Sequence, residues 1–180
     1  MSILRRLSRF LGTDREMTNI IPGNRVPGFS LKGLDGKEYS LLALLKKGPV
    51  VAAFFKISCP VCQFTFPFLE RLYKRYGGDG VTFLGISQDD AKATKSFTRE
   101  YGVTFPMALD EKGYPVSTAY LLTNVPTIFL VDTDATAKVV CMGFEKKGLE
   151  TIAADLAERR KIASAALFRP DESVPELRPG

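Results

Sequence analysis

Two cysteines separated by two residues, Cys59-Pro60-Val61-Cys62, are the clearest candidates for chemistry in the sequence. They follow a near-continuously apolar segment from Val50 to Ile57 and open an amphipathic segment, which predicts a strand leading into a helix. At such a junction the first cysteine lies at a helix N-terminus, where free backbone N–H groups and the helix dipole stabilise a thiolate. The second lies one turn into the helix, within reach of a disulfide. The spacing therefore predicts thiol–disulfide redox chemistry.

Two other uses of a cysteine pair fit the sequence less well. A zinc site needs four ligands, and the chain has no histidine and only one further cysteine, Cys141. A structural disulfide with so short a loop is uncommon in a reducing compartment. Redox use is the favoured interpretation, with a structural disulfide and a metal site as alternatives. The lack of histidine also excludes catalytic triads that depend on imidazole.

Cys141 lies in the apolar run VVCM at 139–142. Free cysteines in such runs ordinarily pack as small hydrophobic residues. We expect Cys141 to be a buried hydrophobic residue, and the alternative is an extra resolving thiol.

The composition describes one globular domain. The chain has 180 residues, of which 45% are hydrophobic and 25% charged, and this length normally forms a single domain. The net charge of +5 comes entirely from residues 1–48, which carry 9 basic and 4 acidic side chains, whereas residues 49–180 carry 16 of each. A nucleic-acid-binding protein concentrates basic residues on its folded body, so we expect no nucleic-acid partner.

The sequence pattern predicts a basic amphipathic helix and a linker at residues 1–21. Apolar residues recur with helical spacing between residues 3 and 11, among several arginines. We expect this helix to pack on its own domain or on a partner subunit, and the alternative is a weak contact with an anionic membrane surface. The segment lacks the apolar region of a secretory signal. We therefore predict a cytoplasmic location, with peripheral membrane association as the alternative.

The remaining patterns predict an α/β domain over residues 22–166 and a mobile, proline-rich tail at 167–180. A hairpin is predicted around Asp35-Gly36. The predicted strands lie at 50–57, 81–87, 127–131 and 138–142. The predicted helices lie at 60–76, 90–101, 116–122 and 149–166.

Taken together, these motifs resemble the thioredoxin-fold redoxin family, which includes the TlpA/ResA-like thiol–disulfide oxidoreductases and the related AhpC/TSA peroxiredoxins. The resemblance covers roughly residues 22–160. It is carried by PGFSLKGLDGKEYSL (27–41), VVAAFFKISCPVCQFTFPFLERL (50–72), VTFLGISQDD (81–90), YGVTFPMALDEKG (101–113) and NVPTIFLVD (124–132). It implies a thioredoxin-like fold, in which a central mixed sheet has helices on both faces and carries an N-terminal β-hairpin extension.

The resemblance also implies a reaction. Cys59 attacks as the thiolate, and Cys62 resolves the mixed disulfide. The Val125–Pro126 bond is implied to be cis and to face the pair, which leaves the backbone of Val125 free to pair with an extended substrate. The implied partners are a protein dithiol or disulfide substrate and an unidentified electron donor. No metal or organic cofactor is expected beyond the redox-active Cys59–Cys62 disulfide.

Three neighbours of the cysteines complete the predicted site. Pro60 and Val61, between the two cysteines, are predicted to contact substrate. Lys56 is an ionisable side chain three residues before Cys59, and its positive charge is a candidate stabiliser of the thiolate. The alternative for Lys56 is an ordinary surface lysine.

The sequence departs from the family pattern beside the cysteines. Ser58 stands where many relatives have tryptophan. Ala53 and Thr65 stand where relatives carry carboxylates that assist proton transfer. The resolving step is therefore left without its usual acid.

A peroxidase is the main alternative, because the peroxiredoxin TxxC motif aligns with the pair and would make Cys62 the peroxidatic thiol. The family's shielding proline is replaced by Phe55, and the strand that carries the family arginine begins with Val125-Pro126-Thr127. Both departures favour disulfide exchange. A non-catalytic redox-sensing binding module is the second alternative.

Overall fold

The computed structural model describes residues 20–78 and 80–180, so the predicted basic helix at residues 3–11 lies outside the described residues. Its centre is a five-stranded sheet with the strand order β5-β4-β3-β6-β7. These strands are β3 (Val50–Phe55), β4 (Thr82–Ser87), β5 (Met107–Leu109), β6 (Thr127–Val131) and β7 (Ala137–Met142). The pairs β3–β4 and β4–β5 are parallel, whereas β3–β6 and β6–β7 are antiparallel. The predicted mixed sheet is therefore confirmed.

Five helices accompany this sheet within the described residues. They are α1 (Leu41–Leu45), α2 (Pro60–Tyr76), α3 (Ala91–Glu100), α4 (Pro115–Ala119) and α5 (Lys146–Arg160). No helix in the described ranges is long and apolar enough to cross a membrane.

The apolar run of β3 is buried on both faces of the sheet. Val51 and Phe55 pack in the cluster that holds the buried side chains of α2, α3 and α5. Val50 and Phe54, which point the other way, pack in a second cluster with the buried side chains of α1 and α4. A strand without a solvent-facing side must be apolar throughout, and this explains the run. Helices cover both faces, as predicted.

The predicted hairpin is present as β1 (Ser30–Lys32) and β2 (Glu38–Ser40), which pair antiparallel. Asp35 and Gly36 form its turn, where Gly36 takes a positive φ of 79°. The Leu34 N–H donates to the Met107 carbonyl at 2.9 Å, so the hairpin lies beside the edge strand β5.

A buried carboxylate fixes the segment that leads into β6. Asp110 is fully buried and accepts hydrogen bonds from the backbone N–H groups of Val116 (3.0 Å) and Ser117 (2.7 Å) at the start of α4. At the far end of α4, the Tyr120 hydroxyl donates to the Pro27 carbonyl at 2.9 Å. Both ends of α4 are therefore held before the chain enters the loop at residues 121–126.

The last part of the chain differs from the prediction. Helix α5 ends at Arg160 instead of 166, because Lys161 turns into the left-handed region with a φ of 54°. The segment 167–180, predicted to be a mobile tail, packs on the domain. Leu167 and Phe168 are buried, and the Arg71 guanidinium donates two hydrogen bonds to the Glu172 carboxylate.

The segment then forms a short strand, β9 (Leu177–Arg178), which pairs antiparallel with β8 (Phe144–Glu145). The sequence shows the prolines and charges of this segment, but the aromatic side chains that receive Phe168 come from distant parts of the chain. They are Phe68 and Phe144, with ring centroids 5.0 and 5.9 Å from that of Phe168.

Candidate active site at the end of strand β3

Cys59 lies in the turn between β3 and α2 and caps the helix. Its Sγ accepts a hydrogen bond from the Cys62 N–H at 3.3 Å, and Pro60 occupies the first helical position. Proline fits there because the first N–H groups of a helix have no partner within the helix. The predicted helix start is confirmed, and it directs a free N–H of the first turn at the Cys59 sulfur.

A second backbone group reaches the same sulfur from a distant part of the chain. The Val125–Pro126 bond is cis, as the resemblance implied, and the Cys59 thiol donates to the Val125 carbonyl at 3.3 Å. The two residues are 66 positions apart in the sequence. The structure thus brings together Cys59, Cys62, Val125 and Pro126 as the sequence analysis grouped them.

The two cysteines differ in their environments. Cys59 is partly exposed, whereas Cys62 has no exposed surface. Burial raises the pKa of the Cys62 thiol well above its usual value, because the low-polarity surroundings disfavour the thiolate. The neighbouring Cys59 and the negative charge of Asp89 raise this pKa further, and a hydrogen bond from the backbone of Lys56 opposes them. Cys59 is therefore the accessible thiol, and Cys62 is held protonated behind it.

The other predicted site residues lie around this pair. Pro60 is exposed and Val61 half-buried on the first turn of α2, beside Cys59. The side chain of Lys56 is exposed. Lys56 contacts both cysteines through its backbone: its carbonyl accepts the Cys59 N–H at 3.1 Å, and its backbone hydrogen-bonds the Cys62 thiol.

Asp89 is a neighbour of the site that the sequence analysis missed. It follows β4, which pairs parallel with β3 so that Phe55 and Ser87 lie opposite each other. Its carboxylate accepts the Ile57 N–H at 2.7 Å, and the Gln63 side-chain amide donates to the Ile57 carbonyl at 2.9 Å. Both backbone groups of Ile57 are therefore fixed two residues before Cys59. An acidic residue two positions after the end of the neighbouring buried strand was the signal that could have identified Asp89.

The positions where relatives carry acids are apolar or neutral here. Ala53 is buried in β3, and the buried Thr65 hydroxyl donates to the Val61 carbonyl at 2.6 Å within α2. Asp89, which follows β4, is a carboxylate whose negative charge raises the pKa of Cys62 from outside β3 and α2.

Cys141 is fully buried in β7, as expected for a small hydrophobic residue. Its sulfur packs against the backbone of Gly148, where an added Cβ would overlap it. Burial raises the pKa of this thiol to about 12. The sulfur is free, as are those of Cys59 and Cys62.

Comparison with known proteins places this site in a family context. A family model described as AhpC/TSA family matches residues 22–140. The thiol-disulfide oxidoreductase ResA of Bacillus thuringiensis is 33% identical over 135 residues, which cover 74% of this chain and 76% of that protein.

Solved structures that superpose on this chain identify its fold. The thioredoxin domain of a thiol-disulfide oxidoreductase from Bacteroides vulgatus superposes with a TM-score of 0.67 at 22% identity, covering 76% of this chain and 99% of that one. A peroxidoxin, BcpB from Mycobacterium tuberculosis, superposes with a TM-score of 0.63 at 24% identity, covering 81% and 99%. At these identities the structures show the thioredoxin-like fold alone, and the fold is shared by exchange proteins and peroxidases.

The burial of the thiols predicts the order in which they react with an alkylating reagent. We expect iodoacetamide at neutral pH to modify Cys59 first, because Cys62 and Cys141 are fully buried and burial raises the pKa of both. Peptide mass spectrometry with fragmentation assigns the modified residue, and the unfolded protein, in which all three should react, is the control. Equal labelling of the three thiols in the folded protein would contradict this description of the site.

The charge of Asp89 predicts a pH effect at Cys62. Asp89→Asn keeps an oxygen that can accept the Ile57 N–H but removes a negative charge that disfavours the thiolate, so the pKa of Cys62 should fall. The measurement is the pH titration of Cys62 by its rate of reaction with iodoacetamide, which follows the thiolate fraction, in a Cys59→Ser/Cys141→Ser background.

Asp90→Asn is the matched control for Asp89→Asn. It removes the same charge from the adjacent, exposed residue and keeps a good helix cap for α3. If Asp89→Asn left the Cys62 titration unchanged, or if Asp90→Asn shifted it equally, Asp89 would have no specific effect on the resolving thiol.

Proposed function

We propose that Cys59 and Cys62 exchange disulfides with protein substrates. The premise is that the chain belongs to the AhpC/TSA family and is a thiol–disulfide oxidoreductase. The observation that carries the assignment of roles is the asymmetry of the pair. Cys59 is accessible and lies at a helix N-terminus, whereas Cys62 is buried behind it. In this proposal Cys59 is the nucleophile and Cys62 the resolving thiol.

The reduction of a substrate disulfide then proceeds in two exchanges. The Cys59 thiolate attacks one substrate sulfur, a mixed disulfide forms, and the other substrate sulfur leaves as a thiolate and takes up a proton. Cys62 loses its proton and attacks Cys59, which releases the second substrate sulfur and leaves a Cys59–Cys62 disulfide. Two electrons pass from the pair to the substrate, and a dithiol donor restores the pair by the same steps in reverse. The two sulfurs themselves carry the electrons, so the proposal needs no metal or organic cofactor.

The surroundings of Cys59 support an extended protein substrate. The Val125 carbonyl already contacts its thiol at 3.3 Å. A substrate strand that paired with the backbone of Val125 would therefore pass the nucleophile, and Pro60 and Val61 would form the other side of the contact.

The peroxidase alternative is less compatible with the site. A peroxidatic cysteine must react as a thiolate, and the peroxiredoxin TxxC motif would give that role to Cys62. Its burial and the nearby charge of Asp89 both raise its pKa, which disfavours the thiolate. The features of Cys62 are therefore those of a resolving thiol, which reacts with the neighbouring Cys59 sulfur.

Substitution of each cysteine tests the assigned roles. Cys59→Ser should abolish insulin disulfide reduction, because the attacking sulfur is lost, whereas Cys62→Ser should accumulate mixed disulfides that cannot be resolved. Mass spectrometry under non-reducing conditions detects the adducts. Cys141→Ser is the matched control and should retain the parent activity, since its thiol is buried and free.

The same variants distinguish the alternatives. Reversed phenotypes of Cys59→Ser and Cys62→Ser would refute the roles of nucleophile and resolving thiol. Rapid peroxide consumption that needs Cys62 and not Cys59, measured by stopped flow, would identify a peroxidase. Slow reaction with both substrates, from a pair that still oxidises reversibly, would identify a redox-sensing module.

A further inference from the structure

The C-terminal segment Glu176–Gly180, termed the tail, lies across the edge of the candidate active site. Its strand β9 pairs antiparallel with β8, with Arg178 opposite Phe144 and Leu177 opposite Glu145. The Glu176 carbonyl accepts the Lys146 N–H at 3.0 Å, and its carboxylate forms an ion pair with the Lys146 ammonium at 3.1 Å. The tail is therefore bound as an added strand with a defined direction.

Beyond its pairing with β8, the tail reaches the Val125 carbonyl, which contacts Cys59. The backbone of Gly143 is so close to the tail that an added Cβ would overlap the Arg178 carbonyl oxygen. A Cβ on Gly180 would overlap the Val125 carbonyl oxygen and lie 2.9 Å from the Asn124 side-chain amide. The Cys59 thiol donates to this same Val125 carbonyl. The tail thus takes the position beside Val125 that the proposed function gives to substrate.

A side-chain contact fixes the tail on the other side of this groove. The Arg178 guanidinium lies over the Phe64 ring, 3.9 Å from its centroid. Phe64 follows Cys62 in α2, and its ring packs edge-on against Phe144 of β8, with centroids 4.9 Å apart. A guanidinium over an aromatic face is an attractive arrangement, so Phe64 recognises a cation on the bound strand.

We propose that the tail occupies the groove that binds an extended segment of the protein substrate, so that tail and substrate compete for it. The inference rests on the proposed exchange function and names the partner's chemistry. The partner presents an extended strand antiparallel to β8, with a cationic side chain over Phe64 and an acidic one beside Lys146. The tail sequence ELRPG contains no cysteine, so it fills the groove without a disulfide for Cys59 to attack.

The tail is held weakly enough to be displaced. Its strand has two residues, both exposed, and the Leu177 side chain is 58% exposed. Segments with few buried contacts open at low free-energy cost. The preceding chain is anchored independently, by the burial of Phe168 and by the Arg71–Glu172 ion pair. Displacement of the tail therefore leaves the rest of the domain in place.

Competition by the tail should depend on the size of the substrate. A protein segment must pair along the groove to bring its disulfide to Cys59, whereas a small disulfide needs only the partly exposed sulfur. Weakening the tail should therefore accelerate reduction of a protein and leave a small disulfide unaffected.

The test is the double variant Glu176→Ala/Arg178→Ala, assayed as the full chain with insulin and with cystamine, a small disulfide. The loss of one ion pair and one cation–π contact should raise the rate with insulin about threefold to tenfold. The rate with cystamine should stay at the parent value. A synthetic peptide with the sequence of residues 173–180 should lower the raised insulin rate again.

The matched control is Arg99→Ala/Glu100→Ala, which removes the same two charges from exposed positions at the end of α3. An insulin rate equal to that of this control, or lower than the parent rate, would overturn the inference. Equal acceleration with insulin and cystamine would also overturn it, because the change would then lie in the reactivity of Cys59. A parent protein that reduces neither substrate would overturn the exchange function itself.

Discussion

The pairing of β3 with β6 is the constraint on which the site depends. The strands run antiparallel with Phe54 opposite Thr127. The residues after Phe54 and those before Thr127 therefore leave the sheet at the same end of the strands. Cys59 and Val125 meet there, although they are 66 positions apart in the sequence. On the other side of β3, the parallel strand β4 delivers Asp89 to the same end. Three distant segments therefore converge because the register of one central strand is fixed on both sides.

The proposed disulfide exchange follows from the different solvent exposure of two thiols, those of Cys59 and Cys62. One helical turn separates the thiols, and this distance is enough to leave Cys59 partly exposed and Cys62 fully buried. Burial disfavours the charged form of Cys62, so the pair has one sulfur available for attack and one that stays protonated until needed. The charge of Asp89 strengthens this asymmetry from outside the helix, at a site where Ala53 and Thr65 supply no carboxylate.

Local signals in the sequence predicted the elements that carry the cysteines. Proline at position 60 and the glycine pair at 77–78 indicated the bounds of α2, since proline fits the first turn and glycine follows the last. The apolar run at 50–57 identified the central strand. Asp89 was missed because its role depends on which strands pair, and pairing is not encoded by spacing along the chain. The packing of segment 167–180 was missed because the Phe168 contacts come from Phe68 and Phe144, far away in sequence.

A redox titration of the cysteine pair tests the central claim most directly. The protein is equilibrated in thiol–disulfide buffers, quenched, alkylated and digested with trypsin, which releases Cys59 and Cys62 together in residues 57–71 and Cys141 in residues 139–146. The account predicts a single reversible transition in which peptide 57–71 gains an internal disulfide, with a slope of about 30 mV per tenfold change in the ratio of oxidised to reduced protein, as for a two-electron couple. Peptide 139–146 should stay a free thiol throughout. A disulfide that included Cys141, or oxidation of Cys62 alone without a bond to Cys59, would contradict the account.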